Sequence, residues 1–90
     1  MMTTQGPELR RLLTEALEHL DIMVERVRLD EDGSGGGLCT YKQRRIVYLD
    51  TGNSLERDIG ILTDALRRTT DENTFLVPAV REWLEARPQI

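Results

Sequence analysis

The spacing of apolar residues changes twice along this 90-residue chain, and the changes limit the folds open to it. Near the N-terminus six apolar residues recur every three or four positions, which is typical of one face of a helix. They are Leu9, Leu12, Leu13, Ala16, Leu17 and Leu20. Between about residues 23 and 50 apolar and polar residues alternate, and from residue 55 the helical spacing returns. Strands set between helices indicate an α+β fold.

Three segments are predicted to be helical. Pro7 suits the first position of a helix, so we predict a first helix over Pro7–Leu20. Asn53 or Ser54 can cap a second helix over Leu55–Thr69. Pro78 begins a short third helix, which ends before Pro88. Residues 1–6 are expected to be frayed.

Three strands are predicted between the first two helices. The first strand is predicted to end near Asp30. One of its faces would carry Met23, Val27 and Leu29, and the opposite face would carry Ile22 and Val24. The second and third strands, Leu38–Lys42 and Arg45–Asp50, are close enough for a hairpin with its turn near Gln43-Arg44. We therefore predict a single domain over residues 1–90. It would hold a small antiparallel three-stranded meander packed against helices, in the order α-β-β-β-α-α.

The charge and the scarcity of reactive side chains exclude several classes of protein. Twelve Lys and Arg against sixteen Asp and Glu give a net charge of −4, whereas general nucleic-acid binders carry a basic excess. There is no apolar run long enough for a membrane helix and no signal peptide, so we expect a cytoplasmic protein that does not bind a membrane. One cysteine and one histidine exclude an internal disulfide and a His-pair zinc motif. We predict no enzymatic activity, no catalytic residues and no cofactor.

The acidic, glycine-rich segment is a candidate metal loop. Oxygen-bearing Asp30, Asp32 and Ser34 occupy the first, third and fifth positions of an EF-hand-like start. Position 12 of such a loop should be glutamate, but it is Tyr41 here. The favoured interpretation is a flexible connector over residues 31–37. In an enzyme hypothesis, Asp30 and Asp32 would converge with Asp50 and Asp58 on an acidic metal site.

Two further groups of residues are candidates for interaction. Lys42, Arg44 and Arg45 form a basic hairpin tip between Tyr41 and Tyr48, and arginine beside aromatic rings can hold single-stranded nucleic acid. The alternative is a solvated tip that resists aggregation.

Trp83 and Val80 lie on the apolar face of the third helix. Trp83 either completes the core or contacts a partner, and the core is favoured because a small domain has few large residues.

One stretch suggests a known family. Gly-Leu-Cys-Thr-Tyr, then Arg-Arg-Ile-Val-Tyr-Leu-Asp and Asn-Ser-Leu-Glu-Arg, all within Gly37–Leu66, follow one another. This pattern resembles the hairpin and helix start of the ImmA/IrrE-type zinc peptidases. The H-E-x-x-H motif of that family would fall at Asp64–Arg68, where there is no histidine and Ala65 replaces the catalytic glutamate. The resemblance implies a non-catalytic relative of similar scaffold.

These observations together predict a non-enzymatic protein-interaction or regulatory module. Self-association as a homodimer is expected, because the edges of a small sheet must be covered or paired. One alternative is a divalent-metal-binding protein that uses the acidic loop. The other is nucleic-acid binding through Arg44 and Arg45.

Overall fold

Helices lie at both ends of the described chain, and strands lie between them. The structure is a computed structural model that describes residues 6–29 and 35–86. Its elements, in chain order, are α1 (Gly6–His19), β1 (Met23–Val27), β2 (Gly36–Tyr41), β3 (Arg44–Asp50), α2 (Leu55–Thr69) and α3 (Pro78–Ala86). The α+β class is confirmed. Of the segment expected to be frayed, residues 1–5 lie outside the described residues, and Gly6 is already the first residue of α1.

The sheet is mixed, and its central strand is the last one in sequence. The strands lie in the order β1-β3-β2, with β1 parallel to β3 and β2 antiparallel to it. The predicted antiparallel meander is therefore wrong. A meander needs a tight turn between β1 and β2, whereas the link between them is long enough to pass from one side of β3 to the other. Adjacent strands are about 4.8 Å apart, so this link must span about 10 Å.

The two described ends of this link are tied to the end of β3. The Leu29 amide donates to Oδ1 of Asp50 at 3.2 Å, and the Asp50 amide donates to the Gly35 carbonyl at 2.9 Å. The Thr51 amide donates to the carbonyl of Val27 at 2.8 Å. These bonds fix where β1 ends and where β2 begins.

Two glycines assigned to the flexible connector belong to the sheet. Gly36 and Gly37 begin β2, where they pair with Leu49 and Tyr48. Their φ angles are +121° and +151°, and a Cβ on Gly36 would overlap the main-chain oxygen of Tyr48. Only glycine fits so close a backbone approach. The connector prediction is thus wrong at these positions, and residues 31–34 lie outside the described residues.

The hairpin turn between β2 and β3 consists of Lys42 and Gln43. Both residues have positive φ, 51° and 68°, as a type I′ turn requires. The turn lies one residue earlier than the Gln43-Arg44 position predicted from sequence. Its twist suits the flanking strands, although neither residue favours this conformation.

The turn after α1 decides which side chains of β1 face the core. The Ile22 amide donates to the Leu17 carbonyl at 3.1 Å, and Asp21 has a φ of 66° and donates to Glu18. This is a Schellman motif, which turns Ile22 back against the helix it follows. Ile22 is buried, and Val24 packs against the core beside it.

The alternation of side chains along β1 places its first residue, Met23, on the side away from the core. Because Ile22 and Val24 point inward, Met23 points outward and is 47% exposed. The sequence pattern had grouped Met23 with Val27 and Leu29, but it contained no sign of the turn that sets the parity.

The core lies between one face of the sheet and the helices. Its fully or almost fully buried members are Leu9, Leu13, Leu17, Ile22, Val47, Leu49, Leu62, Ala65, Leu66, Leu76 and Val80. Ser54 caps α2, since its hydroxyl accepts from the Arg57 amide at 3.1 Å.

Candidate interaction surface

A buried carboxylate joins α1, β1 and α2 at one end of the sheet. The side chain of Asp58 has no exposed area. Its Oδ2 accepts from Arg10 Nη1 at 3.0 Å and from Arg26 Nη2 at 2.7 Å, and its Oδ1 accepts from Asn53 Nδ2 at 3.0 Å. Asn53 also donates to the carbonyl of Gly35 at 2.8 Å, which extends the network to the start of β2.

The surroundings of Asp58 hold it in the ionised form. Burial acts to raise the pKa of this carboxyl group, but the hydrogen bonds from Arg26, Asn53 and Arg10 outweigh burial. The pKa of Asp58 is therefore lowered from its ordinary value. A carboxylate with its lone pairs directed at two guanidinium groups is a structural anchor rather than a metal ligand or a general acid.

The acidic site of the enzyme hypothesis does not assemble in the part of the chain that the structure describes. Asp58 is bound to arginines, and Asp50 receives the Leu29 amide. Over residues 6–29 and 35–86, no group of His, Cys, Asp and Glu is arranged to hold a metal ion. The remaining candidates of the acidic loop, Asp30, Asp32 and Ser34, lie outside the described residues.

The role of Asp58 could have been inferred from its position on α2. It lies three residues after Leu55 and four before Leu62, on the apolar stripe of the helix. A carboxylate on such a stripe must be buried with a partner. The sequence did not reveal that the partners would be Arg10 and Arg26, which are far away along the chain.

The second feature is the side of the sheet that faces away from the helices, here called the open sheet face. Side chains alternate along a strand, so residues next to the buried Val47 and Leu49 point to this side. They are Met23, Glu25 and Val27 of β1, Cys39 and Tyr41 of β2, and Arg44, Ile46 and Tyr48 of β3. Among the described residues, the helices contribute to the core on the opposite side of the sheet.

The centre of the open sheet face is apolar. Ile46 is only 8% exposed, yet it is not part of the core between sheet and helices. Its register partners on either side are Met23 and Cys39, both exposed. Tyr41 is 59% exposed at the hairpin end of the same face. The result is a surface in which a buried isoleucine is bordered by accessible apolar side chains.

Two of the three basic residues of the hairpin tip line one cavity together with acidic residues. Strand alternation places Arg44 on the open sheet face and Arg45 on the helix side, while the Lys42 ammonium lies 5.4 Å from the ring centre of Tyr41. A shallow cavity of about 470 Å³ at the tip is lined by Arg44 and Arg45, and also by two acidic residues of the α1 end. Arg44 and Arg45 therefore share this cavity with two carboxylates, which partly balance their charge.

Of the two candidates on α3, Val80 belongs to the interior and Trp83 is partly buried beside it. Val80 has no exposed area, and Trp83 packs against the core while its indole Nε1 donates to Thr63 Oγ1 at 2.9 Å. A partner would not reach Val80 in this conformation. Sequence reasoning missed Phe75, which is 83% exposed just before α3, although the apolar run that contains it was visible.

Comparison of the chain with protein-family models, curated proteins and solved structures gave no match. The resemblance to the ImmA/IrrE-type peptidases over Gly37–Leu66 therefore stays a prediction. The described helices include none that is both long and apolar enough to cross a membrane.

Proposed function

We propose that this protein is a non-catalytic protein-interaction module that binds its partner through the open sheet face. The observation that carries the proposal is a sheet covered by helices on one side and bearing accessible apolar residues on the other. Contiguous exposed apolar patches mark interaction sites in soluble proteins. Tyrosine and methionine, which border Ile46 here, are enriched in such interfaces.

The positions of the most reactive side chains support a non-catalytic role. Cys39 lies on the open sheet face, whereas His19 ends α1 in the helical layer on the other side of the sheet. A thiol nucleophile needs a base within hydrogen-bond reach, which this separation does not provide. Asp58, the buried acid, is occupied by its arginine partners.

Site-specific photo-crosslinking in the cell that makes the protein tests the proposal. A photoreactive phenylalanine analogue at Tyr41 is expected to form discrete covalent adducts with protein. The same analogue at Arg68, an exposed position on α2, is the matched control and should form few. Equal adducts from both positions, or none from Tyr41, would contradict the proposal.

A charge on the open sheet face should abolish the adducts without unfolding the chain. Met23→Glu places a carboxylate beside Ile46 at a position that is already 47% exposed. Its effect on stability should be small, about 0.5 kcal/mol, as for surface substitutions in general. If the Met23→Glu protein keeps all the Tyr41 adducts, the partner binds elsewhere and the proposal is wrong.

A further inference from the structure

The two edges of the sheet differ in how they are protected. The strand order makes β1 and β2 the edge strands. The β1 edge carries Glu25 and Arg26, and Arg26 points inward to Asp58. Inward-pointing charges are a known protection against edge-to-edge pairing. The β2 edge, Gly36–Tyr41, contains no charged residue and no proline.

We propose that β2 pairs with β2 of a second copy of this chain, antiparallel, so that two sheets join into one six-stranded sheet. This inference goes beyond the proposed function, because it uses the edge of the sheet and leaves the open sheet face accessible to another partner. The joined sheet would have a two-fold axis perpendicular to its surface, which is the symmetry of most homodimers.

The hydrogen-bonding pattern of the hairpin shows which backbone N–H and C=O groups of β2 point away from β3. The Asp50 amide donates to Gly35, so these two residues form a hydrogen-bonded pair at the start of the ladder. Such pairs alternate along antiparallel strands, so Cys39 and Tyr41 bond to β3. Leu38 and Thr40 then direct their N–H and C=O groups away from β3. They are the groups that a further strand would bind.

Charge selects the antiparallel orientation. The hairpin end of the sheet carries three cations, Lys42, Arg44 and Arg45. A parallel pairing of two β2 strands would place both basic ends side by side. An antiparallel pairing separates them by the length of the strand, about 20 Å, which is more than twice the screening length of about 8 Å at physiological salt.

The faces of the two strands limit the possible registers. With the two-fold axis perpendicular to the sheet, paired residues must lie on the same face, and outward-bonding residues must meet each other. Pairing Leu38 with Thr40 of the second copy satisfies both conditions and keeps the paired residues uncharged. Unlike the pairing of Leu38 with Leu38, it also places Tyr41 opposite Gly37. Cys39 then lies opposite Cys39 of the second copy as a non-hydrogen-bonded pair, with Cα atoms about 4.5 Å apart.

The same register fills a space on the open sheet face. A Cβ on Gly37 would have no neighbour within 4 Å, so the surface above this glycine is empty. Tyr41 of the second copy is the residue opposite Gly37 in this pairing. An aromatic ring across from an edge glycine is a recognised stabilising pair. The two open sheet faces become one continuous surface.

Thiol oxidation of the full-length protein tests the register. Diamide takes two electrons and two protons from a pair of thiols and leaves a disulfide, for which Cα separations of about 4.4–6.8 Å are suitable. Wild type, whose only cysteine is Cys39, should form a covalent dimer rapidly. A protein with Cys39→Ser and Thr40→Cys, which moves the thiol by one residue, should form it at least about ten-fold more slowly. Equal rates would overturn the register.

Sedimentation of the reduced protein tests the dimer itself. Wild type should be dimeric at micromolar concentration, and Thr40→Lys, which puts a charge in the middle of the β2 edge, should weaken the dimer at least about ten-fold, or about 1.4 kcal/mol. Glu25→Lys on the β1 edge is the control and should leave the dimer unchanged. Circular dichroism checks that both variants fold.

The outcomes separate this inference from the proposed function. A wild type that is monomeric at high micromolar concentration, or a Thr40→Lys variant as dimeric as wild type, overturns the β2 pairing. If that monomer still forms Tyr41 adducts with another protein, the proposed function stands without the dimer. If Tyr41 adducts are absent as well, both are wrong.

Discussion

The buried carboxylate of Asp58 allows the sharpest test of how this fold is held together. Asp58→Asn keeps the shape of the side chain but removes its charge. The amide also presents an NH2 group where the native carboxylate accepts hydrogen bonds from Arg10, Arg26 and Asn53. At least one donor would then face another donor.

The expected cost can be worked out from the exposure of the partners. Hydrogen bonds to charged groups are worth about 1.5–3 kcal/mol each, and breaking a fully buried ion pair costs about 3–5 kcal/mol. The side chains of Arg10 and Arg26 are 38% and 39% exposed, so water compensates part of their loss. We expect Asp58→Asn to lower the free energy of unfolding by about 3 kcal/mol. In a domain of this size that is about 12–24 °C in Tm.

Equilibrium unfolding in urea, followed by the fluorescence of Trp83, measures this loss. Trp83 is the only tryptophan and packs against the core, so its emission should report global unfolding. The matched control is Asp64→Asn, which breaks a 3.0 Å ion pair with Arg68 on the surface of α2. Exposed pairs of this kind contribute little, so the control should lose less than about 1 kcal/mol.

The comparison of the two variants can refute the reasoning. If Asp58→Asn costs no more than Asp64→Asn, the network around Asp58 does not hold α1, β1 and α2 together. A double-mutant cycle of Asp58→Asn with Arg26→Gln should give a coupling of about 1 kcal/mol or more, because the two residues share a bond. If the two losses of unfolding free energy are additive, the contact between Asp58 and Arg26 does not contribute to stability.

Three further predictions concern pH and the backbone. The pKa of Asp58 is below its ordinary value of 3.8 in the folded protein, so its stabilisation is complete above that value and lost as pH falls through the folded pKa. Asp58→Asn should flatten the acid limb of stability against pH, and an unchanged limb would count against the network. Gly36→Ala should lower the free energy of unfolding by about 3 kcal/mol, because the added Cβ overlaps main-chain atoms of Tyr48. Gly60→Ala, on an open surface of α2, should raise it by about 0.5–1 kcal/mol. Urea midpoints in the reverse order would refute this reasoning. Replacing Lys42 and Gln43 by Asn-Gly should raise the unfolding free energy by about 1 kcal/mol, and a lower Tm would contradict the type I′ assignment.

The helices were predictable because their signals are local. Apolar spacing, a proline at a helix start and a serine cap lie within a few residues of the structure they determine, and Leu55–Thr69 was predicted at both ends. The β2–β3 hairpin was predictable for the same reason. Its turn was displaced by one residue because Lys42 and Gln43 carry no sequence preference for a positive φ.

The sheet order and the buried network were not predictable because they depend on distant residues. An alternating strand such as β1 has the same pattern whether it joins a meander or lies parallel to β3. Asp58 and Arg10 are 48 residues apart, and nothing in either segment identifies the other. The metal alternative came from the loop-like spacing of Asp30, Asp32 and Ser34. The nucleic-acid alternative came from the cations at the hairpin tip, a pattern that shows residue type but not the direction of each side chain.

The central position of β3 also determines when the sheet can form during synthesis. As the chain leaves the ribosome, β1 and β2 emerge before β3, the strand that pairs with each of them within the described chain. The sheet within the chain is therefore complete only after Asp50, the last residue of β3, has left the exit tunnel. Translation that stops before Arg44 therefore releases a product with no sheet, and with the uncharged β2 segment exposed to the other nascent chains of the same polysome.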